Sequence, residues 1–371
     1  MTTYDIIIVG AGINGCALAR SLHLKGQKVL VLEQDCIASG GSGAAGAFIN
    51  PKISKSGPLK ELIETAYLYS IDFYAKNFPQ YTTSAPLLHI AKYQDDNEKV
   101  DYFKQHTTIS TQDVPQCLKK MLTAYTQEFS SVYLKDNAVL EAKEICTALI
   151  EGIDFYKKKV KKPFYEDGFW KISDFQSKKL VLCTGAYEEI FEEDYIRLRK
   201  IHGQRCEIKS TSVMPSTVHH EVSVSATKKN GCIAVGASHY LNKDEMPSLK
   251  DGAHELMQLA RKSVRLENVE LVDTFYGMRA GSNDYLPILG PLIDAKKSLD
   301  SDETALKGNK IASVITYPHV YMMNGVGGYG FVLAPYLAEL MKGHLLDAQD
   351  LPELLDLKRF YYRWAKKKGQ K

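Results

Sequence analysis

Asp5-Ile6-Ile7-Ile8-Val9-Gly10-Ala11-Gly12-Ile13-Asn14-Gly15 stands near the start of the chain, and its reading decides the fold. The run Ile6 to Val9 is apolar and β-branched without a polar break, so it predicts a strand buried on both faces, as in the middle of a parallel sheet. A glycine-rich turn follows at once. Gly10 allows the tight turn, Gly12 lets a pyrophosphate approach the backbone, and Gly15 lets the next helix pack closely on the strand. That helix is predicted from Ile13 to Lys25, stopping at Gly26. Its free N–H groups, at Ile13 and Asn14 first, and its positive dipole end face the place where a diphosphate would lie.

The second strand, Lys28 to Leu32, ends in Glu33 and Gln34. An acid about twenty residues past the glycines accepts hydrogen bonds from a ribose and disfavours a 2′-phosphate, which leaves FAD or NAD. Ser39-Gly40-Gly41-Ser42-Gly43-Ala44-Ala45-Gly46 separates the two, since eight small residues cannot fill a core. A long dinucleotide wrapped by backbone N–H groups and by Ser39, Ser42, Gly43, Ala45 and Gly46 accounts for them, and the apolar continuation Ala47-Phe48-Ile49 argues against a flexible linker. Two distant glycine sites complete a constellation. Thr184-Gly185-Ala186 closes the strand Lys179 to Cys183, and Asn324-Gly325-Val326-Gly327-Gly328-Tyr329-Gly330 precedes a helix running from Phe331 or Val332 to Leu345, whose dipole would stabilise a reduced flavin.

With 371 residues the chain suits two domains, and no apolar run reaches the length of a membrane helix. The N-terminal stretch reads as strand, turn and helix rather than a leader, so a cytoplasmic location is expected. Seven cysteines, without CxxC or paired His/Cys spacing, predict neither a disulfide framework nor a metal site. The net charge of +3 does not by itself imply nucleic acid. Two clusters could nevertheless track a phosphate backbone: Lys157 to Lys162, interrupted by Val160, and the tail Arg359, Arg363, Lys366 to Lys368 and Lys371.

Further along, Leu62, Ala66, Leu68, Tyr69, Phe73 and Phe78 predict one stripe of a helix over Leu59 to Phe78. Leu87 to Ala91 then enters a β-rich domain, 94–116 reads as polar surface, and His89 and His106 read as structural. Ala138 to Tyr156 is expected to be helical, with short strands after it. Strands at Cys206–Lys209, Cys232–Val235 and Val269–Val272 and a helix from Gly252 to Arg265 build the roof. The expected class is α/β: a Rossmann-like FAD-binding domain (1–80, 138–203 and 310–371) interleaved with a mostly antiparallel-sheet substrate domain (81–137 and 204–309).

Together, the motifs at Val9–Ala19, Val31–Gly46, Val181–Glu188 and Asn324–Pro335 resemble the D-amino-acid oxidase/glycine oxidase family of FAD enzymes. Within it, His202–Arg205, Val235–Ser238 and Met278–Gly290 are similar to the oxidoreductase half of the bifunctional enzymes of tRNA 5-methylaminomethyl-2-thiouridine biosynthesis. The resemblance implies non-covalent FAD, because the C-terminal third has no cysteine, and places Val160 on a strand with its backbone at the adenine. It also gives Arg279 the role of holding a substrate carboxylate so that the Cα–H lies over the flavin. The residues agree: arginine is rarely buried unpaired, and its planar fork grips a carboxylate with two bonds. His239 and Tyr240 are candidate catalytic neighbours, Tyr285 and Asn324 weaker ones, and Gln204 is expected to support the roof. Two substrates stay open, a tRNA wobble uridine bearing a carboxymethylaminomethyl group and a free small amino acid such as glycine or sarcosine. In the first case a separate methyltransferase is expected, because the chain starts at the FAD strand. Neither a membrane nor a metal is expected as a partner.

Overall fold

The computed structural model describes residues 1–187, 190–241 and 246–370. Glu188, which closes the motif at Val181, and Lys371 of the basic tail lie outside the described residues. The opening unit is strand β1 (Thr2–Val9), helix α1 (Ile13–His23) and strand β2 (Val29–Glu33). There follow α2 (Pro58–Asn77), β3 (Leu87–Ile90), β4 (Asp154–Lys157), β5 (Phe175–Leu182) and β6 (Arg199–Lys209). Next come β7 (Thr217–His219), β8 (Ser223–Val224), β9 (Ile233–Gly236), α3 (Leu249–Ser263) and β10 (Glu270–Gly281). The chain closes with β11 (Ile288–Ile293), β12 (Thr316–Asn324), α4 (Gly330–Asp347) and α5 (Lys358–Gly369).

The first sheet runs β11-β12-β5-β1-β2-β4 and is parallel from β12 to β4, with β11 antiparallel at its edge. β1 sits in its middle with Ile6, Ile7 and Ile8 fully buried, as its unbroken apolar run requires. α1 lies against it so closely that a methyl group on Gly15 would stand 1.9 Å from the Gly10 carbonyl oxygen. The second sheet runs β6-β9-β8-β7-β3, with β10 along the free side of β6. α3 covers one face of it, packing Ala253, Leu256 and Ala260 against Cys206, Ile208 and Val235. The class is the expected mixed α/β one.

Several local expectations differ. The buried stripe of α2 is Ile63, Ala66, Tyr67, Ser70 and Tyr74, while Leu68 and Tyr69 face solvent. Hydroxyls were overlooked as core groups: Pro335 in α4 has no N–H to give the Phe331 carbonyl, and the Tyr74 hydroxyl donates to that oxygen at 3.0 Å instead. Within 94–116 a helix, Asn97–His106, buries Val100 and Phe103. Of Ala138 to Tyr156 only Ala142–Leu149 is helical; Ala138–Leu140 is a strand pairing with Phe48–Ile49 and Thr82–Ser84. Val160 lies beyond the end of β4, buried but not on a strand. Strand pairing also departs from the expected domain boundaries: β11 joins the first sheet, and β6 begins in the second sheet at Arg199.

Candidate active site

Between the sheets lies a two-lobed cleft. The outer lobe, about 270 Å³, is bounded by Gly10, Gly12, Glu33, Gln34, Ser39, Ser42, Val160, Thr184 and Gly185, joined by Lys158 and Lys159. Gly10 has φ +110°, and a side chain there would meet the Cys183 carbonyl at 2.3 Å, so only glycine serves. The Glu33 carboxylate accepts from Ala11 N at 2.9 Å and Asp35 N at 3.1 Å, which fixes it at the lip of the lobe. At the waist, the N-terminus of α1 points into the cleft and Ile13 N donates to Ser42 Oγ at 2.9 Å. The inner lobe, about 360 Å³, shares Gly12, Gly41, Ser42, Cys183, Gly185 and Met278 with the outer one. Two lobes joined at a helix N-terminus, with a ribose-type carboxylate in one, fit FAD lying across both.

Ile13, Asn14, Ala45, Gly46, Asn324, Gly327, Gly328, Tyr329 and Gly330 wall the inner lobe with Arg279 and His239. The buried Asn14 donates to Met323 O at 3.3 Å and leaves its Oδ1 without a protein partner. The N-terminus of α4 opens here, through Gly327–Tyr329. Three expected residues serve the frame instead. Gly15 packs the helix; Gly43 O accepts from Arg205, its N–H donating to Ala38 O at 3.0 Å; Gly325 has φ +75° and its N–H donates to Asn324 Oδ1 at 2.9 Å. Asn324 is consumed the same way, its Nδ2 donating to Gly185 O at 2.9 Å, so it ties β12 to β5 rather than reaching a substrate.

The roof is read from strand register. Pairing of Ile201 with Arg279, Gly203 with Gly277 and Arg205 with Phe275 puts these six side-chain positions on one face, toward the cleft. Gly203 is the seat of the guanidinium: a methyl group there would lie 2.7–2.9 Å from the Arg279 Nη1, Cζ and Nη2 atoms. Nη1 donates to Ser238 O at 3.2 Å, and among the described residues no carboxylate pairs with Arg279. Burial lowers its pKa from the ordinary arginine value. Arg205, which is buried, lies 3.7 Å over the Phe275 ring, donates to Ala44 O at 3.1 Å and pairs with Glu207 at 2.7 Å. Glu207 in turn meets Lys228 at 2.8 Å, which reaches Glu141 at 2.7 Å. Burial pulls the Glu207 carboxyl upward, but Lys228 and Arg205 outweigh it and hold it below its usual value.

His239 lines the inner lobe, where burial and the charge of Arg279 push its pKa down to about 4. Its imidazole is therefore neutral at pH 7. Tyr240 does not line the cleft; its hydroxyl donates to Glu255 of α3 at 3.1 Å. The expected catalytic role for Tyr240 is corrected accordingly: it pairs with His202, on the face of β6 opposite Gly203. Gln204 faces α3 too, donating to Pro247 O at 2.8 Å, and braces the roof from outside. Phe48, Asn50, His219 and Ser223 at the far end were not foreseen. Burial and then His89 push His219 down to about 3, and burial holds His89 at about 4.

Of the basic clusters, Lys157, Lys159, Lys161 and Lys162 are exposed, whereas Arg359 is committed to Asp284 at 2.9 Å. Among the described residues no group of His, Cys, Asp or Glu is placed to hold a metal ion, and no helix is long and apolar enough to cross a membrane.

Known proteins share this architecture. Glycine oxidase from Geobacillus kaustophilus superimposes with a TM-score of 0.76, covering 97% of this chain and 98% of that one at 17% identity. The tRNA 5-methylaminomethyl-2-thiouridine biosynthesis bifunctional protein MnmC of Legionella pneumophila (strain Lens) is 26% identical over 360 residues, 91% of this chain and 53% of its own length. Its counterpart in Leptospira interrogans (strain Fiocruz L1-130) is 23% identical over 398 residues, 98% of this chain and 61% of its own. The chain thus spans little more than half the length of the curated relatives it matches. The DAO model, FAD dependent oxidoreductase, matches residues 5–342, which takes in every element bounding the cleft, and the chain belongs to that family of FAD-dependent oxidoreductases.

Proposed function

We propose that the enzyme oxidises a glycine-like N-carboxymethyl amine, and that this group is the carboxymethylaminomethyl side chain of a wobble uridine in tRNA. The observation that carries the reading is Arg279, a cation on the wall of the inner lobe with no carboxylate partner among the described residues. Such a fork is satisfied by a carboxylate from outside the protein. The tRNA half of the reading draws support from the curated relatives, named for tRNA 5-methylaminomethyl-2-thiouridine biosynthesis.

The outer lobe and the α1 N-terminus would hold FAD, which when bound would supply the acceptor for a hydride from the carbon beside the amine. The side chains set up the rest. Arg279 fixes the carboxylate in one plane, and Gly203 leaves room for the guanidinium to lie flat against β6. The positive charge favours the unprotonated amine, and neutral His239 adds no second charge. The change is R–NH–CH2–COO⁻ to the imine R–N=CH–COO⁻, with loss of one hydride and one proton. Water then splits the imine into R–NH2 and glyoxylate. The setting is assigned to the cytoplasm.

Nucleoside analysis of tRNA before and after incubation with the flavoprotein tests this, the expected result being conversion of 5-carboxymethylaminomethyluridine to 5-aminomethyluridine. The cavity and Arg279 would equally admit free glycine or sarcosine. Unchanged modified uridine alongside rapid peroxide release from glycine would select that second reading.

A further inference from the structure

The turn after β10, Ser282 to Pro287, carries features that the cavity chemistry does not use. Tyr285 is 62% exposed and has φ +66°, a left-handed conformation that aromatic residues rarely adopt. The fold holds it there. Asp284 accepts from the Ser282 hydroxyl at 2.9 Å and from Leu286 N at 3.3 Å, and Arg359 of α5 donates to Asp284 Oδ2 at 2.9 Å, Leu286 O at 3.0 Å and Pro287 O at 2.7 Å.

Against the braced ring lies the Arg199 guanidinium, 4.0 Å from its centroid, itself fixed by a 3.1 Å bond from Nε to Ser282 O. Arg199 is opposite Gly281 in the β6–β10 register, next to the cavity-lining Ala280. Among the described residues Arg199 has no carboxylate partner. A ring with a cation behind it and much of its surface in solvent stands at the rim, and a free amino acid bound to Arg279 has no group to lay on it.

We propose that Tyr285, backed by Arg199, is a stacking platform for a nucleobase neighbouring the one whose side chain enters the cavity, with Arg199 meeting an adjoining phosphate. The inference rests on the tRNA reading. Stacking on an aromatic side chain suits any base, because every base has a π face, and a cation without a carboxylate partner suits the backbone between bases.

The test is steady-state kinetics of the FAD-loaded enzyme on a synthetic anticodon stem-loop carrying 5-carboxymethylaminomethyluridine, comparing wild type, Tyr285→Phe and Tyr285→Ala. Both variants keep a Cβ on the left-handed residue, so backbone strain is matched, and flavin absorbance per mole of protein reports folding. The platform predicts a KM raised about tenfold or more by Tyr285→Ala and by less than about twofold by Tyr285→Phe, with kcat retained. An unchanged KM in Tyr285→Ala, with wild type active on the stem-loop, overturns the platform and leaves the substrate reading standing. An equal rise in both variants assigns the effect to the hydroxyl and also overturns it. Wild-type enzyme inert on the stem-loop but releasing peroxide from glycine overturns both.

Discussion

The two lobes of the cleft are built by opposite means. The outer lobe comes largely from short consecutive runs, Gly10 to Gly12, Glu33 to Ser42 and Lys158 to Val160, each at the carboxyl end of a strand of the first sheet. The inner lobe has its roof assembled across strands, where Gly203 of β6, Arg279 of β10 and Gly236 of β9 face one another only through register. One lobe tolerates almost no change in backbone shape. In the other, single side chains carry the chemistry, so substitutions should separate binding of the cofactor from turnover.

Gly15→Val should have the largest effect. Its side chain would start 1.9 Å from the Gly10 carbonyl, and the helix cannot retreat without opening the waist of the cleft. We expect more than about 4 kcal/mol of lost stability and protein without bound flavin, read by thermal melting and visible absorbance. On the inner side, Arg279→Ala should leave the flavin bound and lower kcat/KM by about 30- to 1000-fold, or about 2–4 kcal/mol. Arg279→Lys should restore little, because an ammonium lacks the planar fork. A smaller version of the same loss is expected from Gly203→Ala, whose methyl group displaces the guanidinium from its seat: about 2 kcal/mol in kcat/KM with cofactor affinity unchanged. Equal effects of Gly203→Ala on cofactor affinity and turnover would erase the distinction between the lobes.

The smallest effect concerns pH. His219 and His89, at the far end of the roof, are held at about 3 and about 4 in the folded protein. The unfolded chain takes up their protons near the ordinary histidine value, so each group favours the fold above that value. This contribution is lost as pH falls through the window between the ordinary value and the folded ones. Each imidazole can account for at most about 1.4 kcal/mol per pH unit there. His219→Gln should therefore reduce the acid sensitivity of the melting temperature between pH 7 and 5, by about 1 kcal/mol in stability. His239, pushed to about 4, should likewise produce no titration in the activity profile near neutrality.

This contrast also explains what could be read without coordinates. Gly10, Gly12, Glu33 and Ser42 announce themselves because their spacing along the chain is their spacing in the site. Arg279 was legible as an unusual arginine on a roof strand. Its seat was not, although the alternation Ile201, Gly203, Arg205 on one face of β6 carried the signal. Tyr240 faces away from the cleft because it pairs with His202, a register that no local pattern shows. Pro335 and Tyr74 show a further limit: a carbonyl orphaned in one helix is satisfied by a hydroxyl from another, over two hundred and fifty residues earlier in the sequence. Such long-range repairs, like the pairing of Arg359 with Asp284, have no local pattern to betray them.

An FAD-bearing cleft that faces a guanidinium without a carboxylate partner among the described residues should respond to one substrate and one substitution above all. Anaerobic mixing of the yellow protein with tRNA bearing 5-carboxymethylaminomethyluridine, followed through the flavin absorbance, tests it most directly. Wild type should bleach rapidly, and equally yellow Arg279→Ala at least about 30-fold more slowly. Bleaching at the same rate in both proteins, or a colourless wild-type protein, would contradict it.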